Sequence, residues 1–130
     1  MPSTYIDSSA IVKLAVQEPE SAALRRHLGR RRGLVSSALA RTEVLRALLG
    51  GGDAALLAGR QVLARVDLVR VNDRVLNAAA TLMPIEVRSL DAIHLATAHQ
   101  LGPDVHHLVT YDDRMAQAAR ALGIRTASPA

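Results

Sequence analysis

Three aspartates occupy places along the chain where their carboxylates could bind a metal ion. Asp7 follows the short apolar segment "TYI", Asp112 follows "LVTY", and Asp91 lies early in "SLDAIHLATAHQLG". The chain has no cysteine, and carboxylate oxygens suit Mg²⁺ or Mn²⁺ better than Zn²⁺. If the fold brings the three acids together, they would form a site that can activate water and neutralise charge on a phosphodiester.

The elements that must position these acids alternate between strands and helices. Strand patterns are predicted at 3–7, 34–37, 67–71 and 106–111, with "IRTA" as a last edge strand, and helical patterns fill the segments between them. This alternation predicts an α/β fold with a mainly parallel sheet and helices on both of its faces. Such sheets bind ligands beyond the carboxyl ends of their strands, and Asp7 and Asp112 both fall at that edge.

Asp7 and Asp112 could also serve only as helix N-caps, the ordinary role of an aspartate between a strand and a helix. Ser8 and Ser9 could cap the first helix in place of Asp7, which would free its carboxylate for a metal. Asp113 is expected to be a first-turn acid that favours the helix dipole. Of the doublet, Asp112 is nearer the strand end and is the preferred site residue.

Two further acids lie inside predicted helices. Asp91 falls on the same helical stripe as Leu95 and Ala98, so burial would leave its carboxylate in need of a cation or hydrogen bonds. Glu43 lies opposite the apolar face of its helix, and a surface pair with Arg46 is the interpretation its helical position favours. The residues alone therefore do not single out Glu43.

The overall composition limits the classes of protein to which the chain can belong. The chain has 130 residues, of which 49% are hydrophobic, and it lacks Phe and Trp. These values predict one globular domain spanning 1–130, with a core of Leu, Val, Ile and Ala. No run approaches the roughly 18 apolar residues of a membrane span, and no basic-then-apolar leader is visible, so a cytoplasmic protein is expected.

The net charge is +4, and arginine supplies almost all of the positive charge, since Lys13 is the only lysine. The densest basic cluster contains Arg25, Arg26, His27 and the segment 30–32. Arginine can bind phosphate bidentately, so either a phosphate-rich partner or a solvated face would explain the cluster. The scarcity of aromatic residues argues against binding by stacking on single-stranded bases.

The histidines do not form a recognisable metal motif. His94 and His99 are five residues apart and are expected to be ordinary helix histidines. His106 and His107 are adjacent in a predicted strand and are expected on opposite faces. No glycine-rich phosphate loop and no serine-nucleophile elbow is present either.

Four segments resemble, in order, the four motif regions of PIN-domain ribonucleases: "YIDSSAIVKL", "ARTEVLRAL", "SLDAIHLATA" and "LVTYDDRMAQAARALG". Within that family the resemblance is closest to the VapC-type toxins of bacterial toxin–antitoxin pairs, and it covers nearly the whole chain. It implies a three-layer α/β/α sandwich with a parallel sheet, and a Mg²⁺-dependent endoribonuclease in which Mn²⁺ could replace Mg²⁺.

The resemblance also implies roles for particular residues and for partners. Matched residue by residue, the four catalytic acids are Asp7, Glu43, Asp91 and Asp112, of which Asp7, Asp91 and Asp112 would hold the metal. Supporting roles fall to Thr110, Ser8 and Asp113, the last as an acid that could share or replace the role of Asp112. The expected partners are an RNA substrate, a cognate VapB-type antitoxin and a second copy of the chain.

Three alternatives remain open from the sequence. The first is a PIN-like RNA-processing nuclease without an antitoxin. The second is a phosphatase-type or phospho-acceptor domain with Asp7 as nucleophile, disfavoured because Ser9 stands where a second aspartate is wanted and because Lys13 is the only lysine. The third is a PIN fold kept only for binding, which the presence of all four acids disfavours.

Overall fold

A computed structural model describes residues 2–29, 31 and 33–130, and a parallel sheet forms its centre. The described strands are β1 Ser3–Ile6, β2 Leu34–Ser37, β3 Asp67–Val69, β4 Val105–Val109 and β5 Thr126–Ala127. They pair in the order β3-β2-β1-β4-β5, and every pairing is parallel. The expected α/β fold with a parallel sheet of five strands is confirmed.

Helices cover both faces of this sheet. Their bounds are α1 Ser8–Ala15, α2 Ser21–Leu28, α3 Leu39–Leu48, α4 Asp53–Leu63, α5 Asp73–Ala80, α6 Ser89–Leu101 and α7 Asp113–Ala121. Helices α1 to α4 pack on one face, whereas α6 and α7 pack on the other, with α5 against α6. The expected three-layer sandwich is therefore present. Within the described residues, no helix combines the length and apolar character that crossing a bilayer would need.

Two buried clusters, one on each face, hold the layers together. Tyr5 and Leu108 belong to the cluster beneath α6 and α7, while their neighbours Ile6 and Val109 belong to the cluster beneath α1 to α4. Successive strand side chains point to opposite faces, so a short central strand contributes to both clusters. Because the chain has no Phe or Trp, its core consists mainly of aliphatic side chains.

The order of the strands creates a crevice beside β1. The chain runs from β1 outward through β2 and β3, then crosses back to place β4 on the other side of β1. A sheet of this kind binds ligands where the order reverses, at the carboxyl ends of the strands. Ile6 pairs with Val109, so the next residues, Asp7 and Thr110, lie side by side in this crevice.

A cluster of three histidines joins α2 to β4. The register of β4 against β1 shifts between Ser3 and Thr4, so that His106 is bulged out of the pairing. The Nε2 atoms of His107 and His27 are 2.8 Å apart, and the Nδ1 atoms of His107 and His106 are also 2.8 Å apart. His106 and His107 were expected on opposite faces of the strand, but their rings are in contact at this bulge.

Protonation of this histidine cluster is unfavourable in the folded protein. Burial, together with the nearby charges of His27, Arg31 and His106, lowers the pKa of His107 to about 4. Burial and Arg31 also lower the pKa of His27. A contact between two ring nitrogens holds one hydrogen, so protonating both sides of it would force the rings apart.

We expect acid to destabilise the fold through His107. In the unfolded chain, the His107 ring binds a proton once the pH falls below its ordinary pKa near 6.5. In the folded protein, the ring stays neutral to about pH 4. Stability should therefore fall as the pH drops through this window, by about 2 kcal/mol between pH 7.5 and 5. Urea unfolding of wild type and His107→Leu at both pH values measures the difference in pH dependence.

The control for this measurement is His99→Leu, at an exposed histidine of α6. It should keep the pH dependence of the wild type. If His107→Leu is as sensitive to acid as the wild type, the histidine cluster does not carry the effect.

Candidate active site

Asp7 is a buried carboxylate at the end of the central strand. It is only 3% exposed. Its Oδ1 accepts hydrogen bonds from Ser9 Oγ at 2.6 Å and from the Ala10 amide at 3.1 Å, and its Oδ2 accepts one from Thr110 Oγ1. Burial raises the pKa of the Asp7 carboxyl, and these hydrogen bonds offset the rise only in part.

Asp7 is the N-cap of α1, since it accepts from the backbone amide of Ala10. The expectation that Ser8 or Ser9 would take over this cap is wrong. Instead, Ser9 donates to Asp7 and accepts from the Tyr111 amide at 3.0 Å. Capping and ligand binding need not exclude each other, because each carboxylate oxygen can accept more than one bond.

Thr110 connects two of the predicted acids. Its hydroxyl donates to Asp7 Oδ2 and accepts from the Asp112 backbone amide at 3.1 Å. Thr110 is fully buried. The hydroxyl residue expected to accompany the last acid therefore orients the first acid as well.

Asp112 and Asp113 stand at the beginning of α7. The Asp112 side chain caps this helix through the amides of Arg114 and Met115, at 2.9 and 3.2 Å. Asp113 is the first residue of the helix, and both acids are exposed. The backbone amide of Asp112 bonds to Thr110, and the charge of Asp112, rather than that of Asp113, raises the pKa of Asp91.

Asp91 lies in the first turn of α6 and is half-buried, while Leu95 and Ala98 on its stripe are buried. Burial raises the pKa of the Asp91 carboxyl, and the negative charges of Asp112, Glu43 and Asp7 raise it further. Asp91 is thus close enough to the other three acids for their charges to affect its pKa. We refer to Asp7, Glu43, Asp91 and Asp112 as the acid cluster.

Glu43 is held by side chains from two other helices. Its Oε1 accepts from Ser8 Oγ and from His94 Nε2, each at 2.6 Å. Partial burial raises the pKa of Glu43, but the two hydrogen bonds and the electrostatic effect of His94 together hold the pKa below its usual value. The favoured surface pair with Arg46 is wrong, because α3 turns this side chain toward α1 and α6 instead of solvent.

His94 contacts the acid cluster, which the sequence patterns did not reveal. It is 2% exposed, and its Nδ1 lies 2.7 Å from the hydroxyl of Tyr5, while its Nε2 contacts Glu43. The expectation of an ordinary helix histidine did not anticipate these two contacts. The signal that could have found it is its spacing: His94 follows Asp91 by three residues and so shares a helix face with it.

The donor set of the acid cluster fits a hard divalent cation. Among the described residues, no Lys or Arg forms an ion pair with any of its four carboxylates, and Glu43 alone pairs with a histidine. No group of three or more Asp, Glu or His side chains in this part of the chain is already gathered to hold a metal. Mg²⁺ commonly takes one or two carboxylates and completes its shell with water, which suits such a site. The assignment of Asp7, Asp91 and Asp112 as ligands stays a prediction.

Basic residues lie at both ends of the sheet. Arg25 and Arg26, in the last turn of α2, precede β2 and so lie toward the amino ends of the strands, away from the acid cluster. Positions 30 and 32 of the predicted basic cluster fall outside the described residues. At the crevice end, three exposed arginines stand at or beside the first turns of α3, α6 and α7, namely Arg41, Arg88 and Arg114.

The fold and site define a class of protein: a parallel α/β domain with a cluster of acids where the strand order reverses. The PIN domain family matches residues 4–121. The chain belongs to the PIN domain family, and the resemblance found in the sequence is confirmed.

Relatives and solved structures agree with this membership. The chain is 60% identical to Ribonuclease VapC46 of Mycobacterium tuberculosis over 99% of both chains. It is 37% identical to Ribonuclease VapC47 of the same species over 96% of both. It is similar in fold to VapC20 of M. tuberculosis, which is described as a Sarcin-Ricin loop cleaving toxin. The TM-score is 0.75 at 17% identity, and the match covers 89% of this chain and 95% of that one. A toxin-antitoxin complex from Klebsiella pneumoniae gives a TM-score of 0.73 at 15% identity and 98% coverage of both.

We expect Thr110→Val to destabilise the protein by about 1–3 kcal/mol, because it removes a donor from buried Asp7 and an acceptor from the Asp112 amide. Urea unfolding measures this destabilisation. Thr81→Val, at an exposed threonine, is the control and should change stability by less than about 0.5 kcal/mol. Equal stability of Thr110→Val and wild type would contradict the role assigned to this hydroxyl.

Proposed function

We propose that this protein is a Mg²⁺-dependent endoribonuclease toxin of the VapC type. The observation that carries the proposal is the acid cluster: the charges of Asp112, Glu43 and buried Asp7 all raise the pKa of Asp91, and no Lys or Arg of the described chain forms an ion pair with any of the four. The 60% identity to a protein named Ribonuclease VapC46 supports the same activity.

Each residue of the cluster has a separate task in this proposal. Asp7, Asp91 and Asp112 hold the Mg²⁺ ion, or Mn²⁺ in its place, directly or through water. The ion supplies positive charge that stabilises the scissile phosphate and makes water a better nucleophile. Thr110 and Ser9 fix the orientation of the Asp7 carboxylate.

Glu43 orients the attacking water in this scheme. Two hydrogen bonds keep its carboxylate ionised, with a pKa below the usual value. A carboxylate with a low pKa accepts a hydrogen bond from water readily but takes its proton poorly. Orientation of water therefore suits Glu43 better than abstraction of its proton.

The partners are proposed by resemblance. A VapB-type antitoxin would bind the protein and close the crevice, and a second copy of the chain would form a homodimer. RNA and such an antitoxin both occur in the cytoplasm, so a cytoplasmic location belongs to the same proposal.

The second candidate is a PIN-family nuclease of RNA processing that has no antitoxin. It has the same chemistry and differs only in its partner. The phosphatase-type alternative has less support, because both oxygens of Asp7 accept hydrogen bonds, which weakens a carboxylate as a nucleophile.

We expect Asp7→Asn to abolish RNA cleavage and toxicity. The substitution preserves shape and a capping oxygen but removes the buried negative charge, so cleavage should fall on the order of 100-fold or more. The measurements are growth after induced expression and cleavage of total RNA by purified protein with and without Mg²⁺. Asp104→Asn, an exposed acid before β4, is the control and should behave as wild type.

Metal-independent cleavage, or equal toxicity of wild type and Asp7→Asn, would contradict the proposed mechanism. If the wild type cleaves RNA but is harmless and purifies without a small protein partner, the processing nuclease replaces the toxin.

We expect the arginines at the crevice end to bind the RNA backbone. Replacing Arg41, Arg88 and Arg114 by alanine should weaken binding and reduce the salt dependence of affinity by about 0.7 log units per log unit of salt for each phosphate that is no longer bound. Fluorescence anisotropy with labelled RNA, in the Asp7→Asn background to prevent cleavage, measures this slope. Arg60→Ala, at an exposed position of α4, is the control, and an unchanged slope in the triple variant would contradict binding of the backbone by these arginines.

A further inference from the structure

The Glu43 carboxylate is held by one of its two oxygens. Ser8 and His94 both donate to Oε1, and no described residue donates to Oε2. The two donors come from α1 and α6, whereas Glu43 belongs to α3. Three helices therefore fix the orientation of this carboxylate and leave one oxygen without a protein partner among the described residues.

The imidazole of His94 is oriented from its other side by Tyr5. A carboxylate can only accept, so His94 Nε2 carries the hydrogen that lies between it and Glu43. In the neutral ring, Nδ1 then accepts from the Tyr5 hydroxyl, 2.7 Å away. Tyr5 is fully buried, and its phenol hydroxyl can donate this hydrogen bond to Nδ1.

A purely structural role would not require histidine at this position. His94 lies beside Leu95 on α6, in the layer whose core contains Leu108 and Met115. Burying a polar ring here needs a partner for each nitrogen, whereas an apolar side chain of similar volume would need none. Both nitrogens have partners, and one of those partners is a residue of the acid cluster.

We propose that His94 is a positioning residue for the ribonuclease reaction: anchored by Tyr5, it donates to Glu43 Oε1 and so directs Oε2 to the reacting water. The proposal rests on the proposed function, because it assigns His94 to act through Glu43. It adds to the proposed site a fifth residue, which contacts neither the metal nor the RNA.

We expect His94→Leu to lower kcat for RNA cleavage by about 10–100-fold and to change KM by less than about twofold, because the Glu43 carboxylate is no longer oriented while the RNA surface is intact. His94→Gln should recover most of kcat, since its amide N–H can replace the Nε2 donor. Steady-state kinetics on a labelled RNA, with melting temperatures of each variant, measure both effects. His99→Leu, the same change at an exposed site of the same helix, should leave both constants unchanged.

A double-mutant cycle separates positioning from general support of the fold. In a Glu43→Gln background, His94→Leu should lower kcat by less than about a further twofold, because its target is already altered. Full additivity of the two effects would overturn the proposal. So would equally low kcat values for His94→Gln and His94→Leu at equal melting temperatures.

The hydrogen on the His94 ring can be tested without any activity. Long-range ¹H–¹⁵N NMR of the metal-free protein should show a hydrogen on Nε2 of His94. A hydrogen on Nδ1 alone would overturn the proposal. If the wild type cleaves no RNA, the proposed function fails, and this spectrum still decides whether His94 donates to Glu43.

Discussion

Burial of the Asp7 carboxylate at the end of the central strand is the constraint on which the rest of the site depends. A buried carboxylate is costly unless donors surround it, and here the donors are Ser9, Ala10 and Thr110. They belong to the first turn of α1 and to the end of β4. The hydrogen bonds that offset the cost of burying this charge therefore also fix α1 and β4 against β1, where the strand order reverses.

The other acids are attached to this centre by different means. Asp112 is connected through its backbone amide to Thr110, whereas Glu43 is held by Ser8 and His94. Their charges are unbalanced by lysine or arginine within the described residues. Like charges kept in one place raise the free energy of the protein until a cation or a protonated group relieves them, which is the electrostatic basis for expecting a metal there.

Much of the fold and about half of the site followed from local sequence patterns. Alternating apolar segments predicted the strands and helices, and the rule for parallel sheets placed Asp7 at the crevice. Glu43 could not be found in this way, because a helical wheel treats every polar face as solvent. In the folded protein that face of α3 meets Ser8 and His94, and only the family resemblance had identified Glu43 beforehand.

The sequence by itself determined the order of elements, the parallel sheet and the aliphatic core, and by resemblance it predicted the acids of the site. Each of these depends on residues that are neighbours in the chain or on the succession of strands and helices. Only the tertiary structure decided that Asp7 also caps its helix, that Thr110 joins it across 103 residues, and that His94 meets Glu43 across 51. Contacts over such separations depend on how the layers pack, because strand register and helix rotation are set by the whole core.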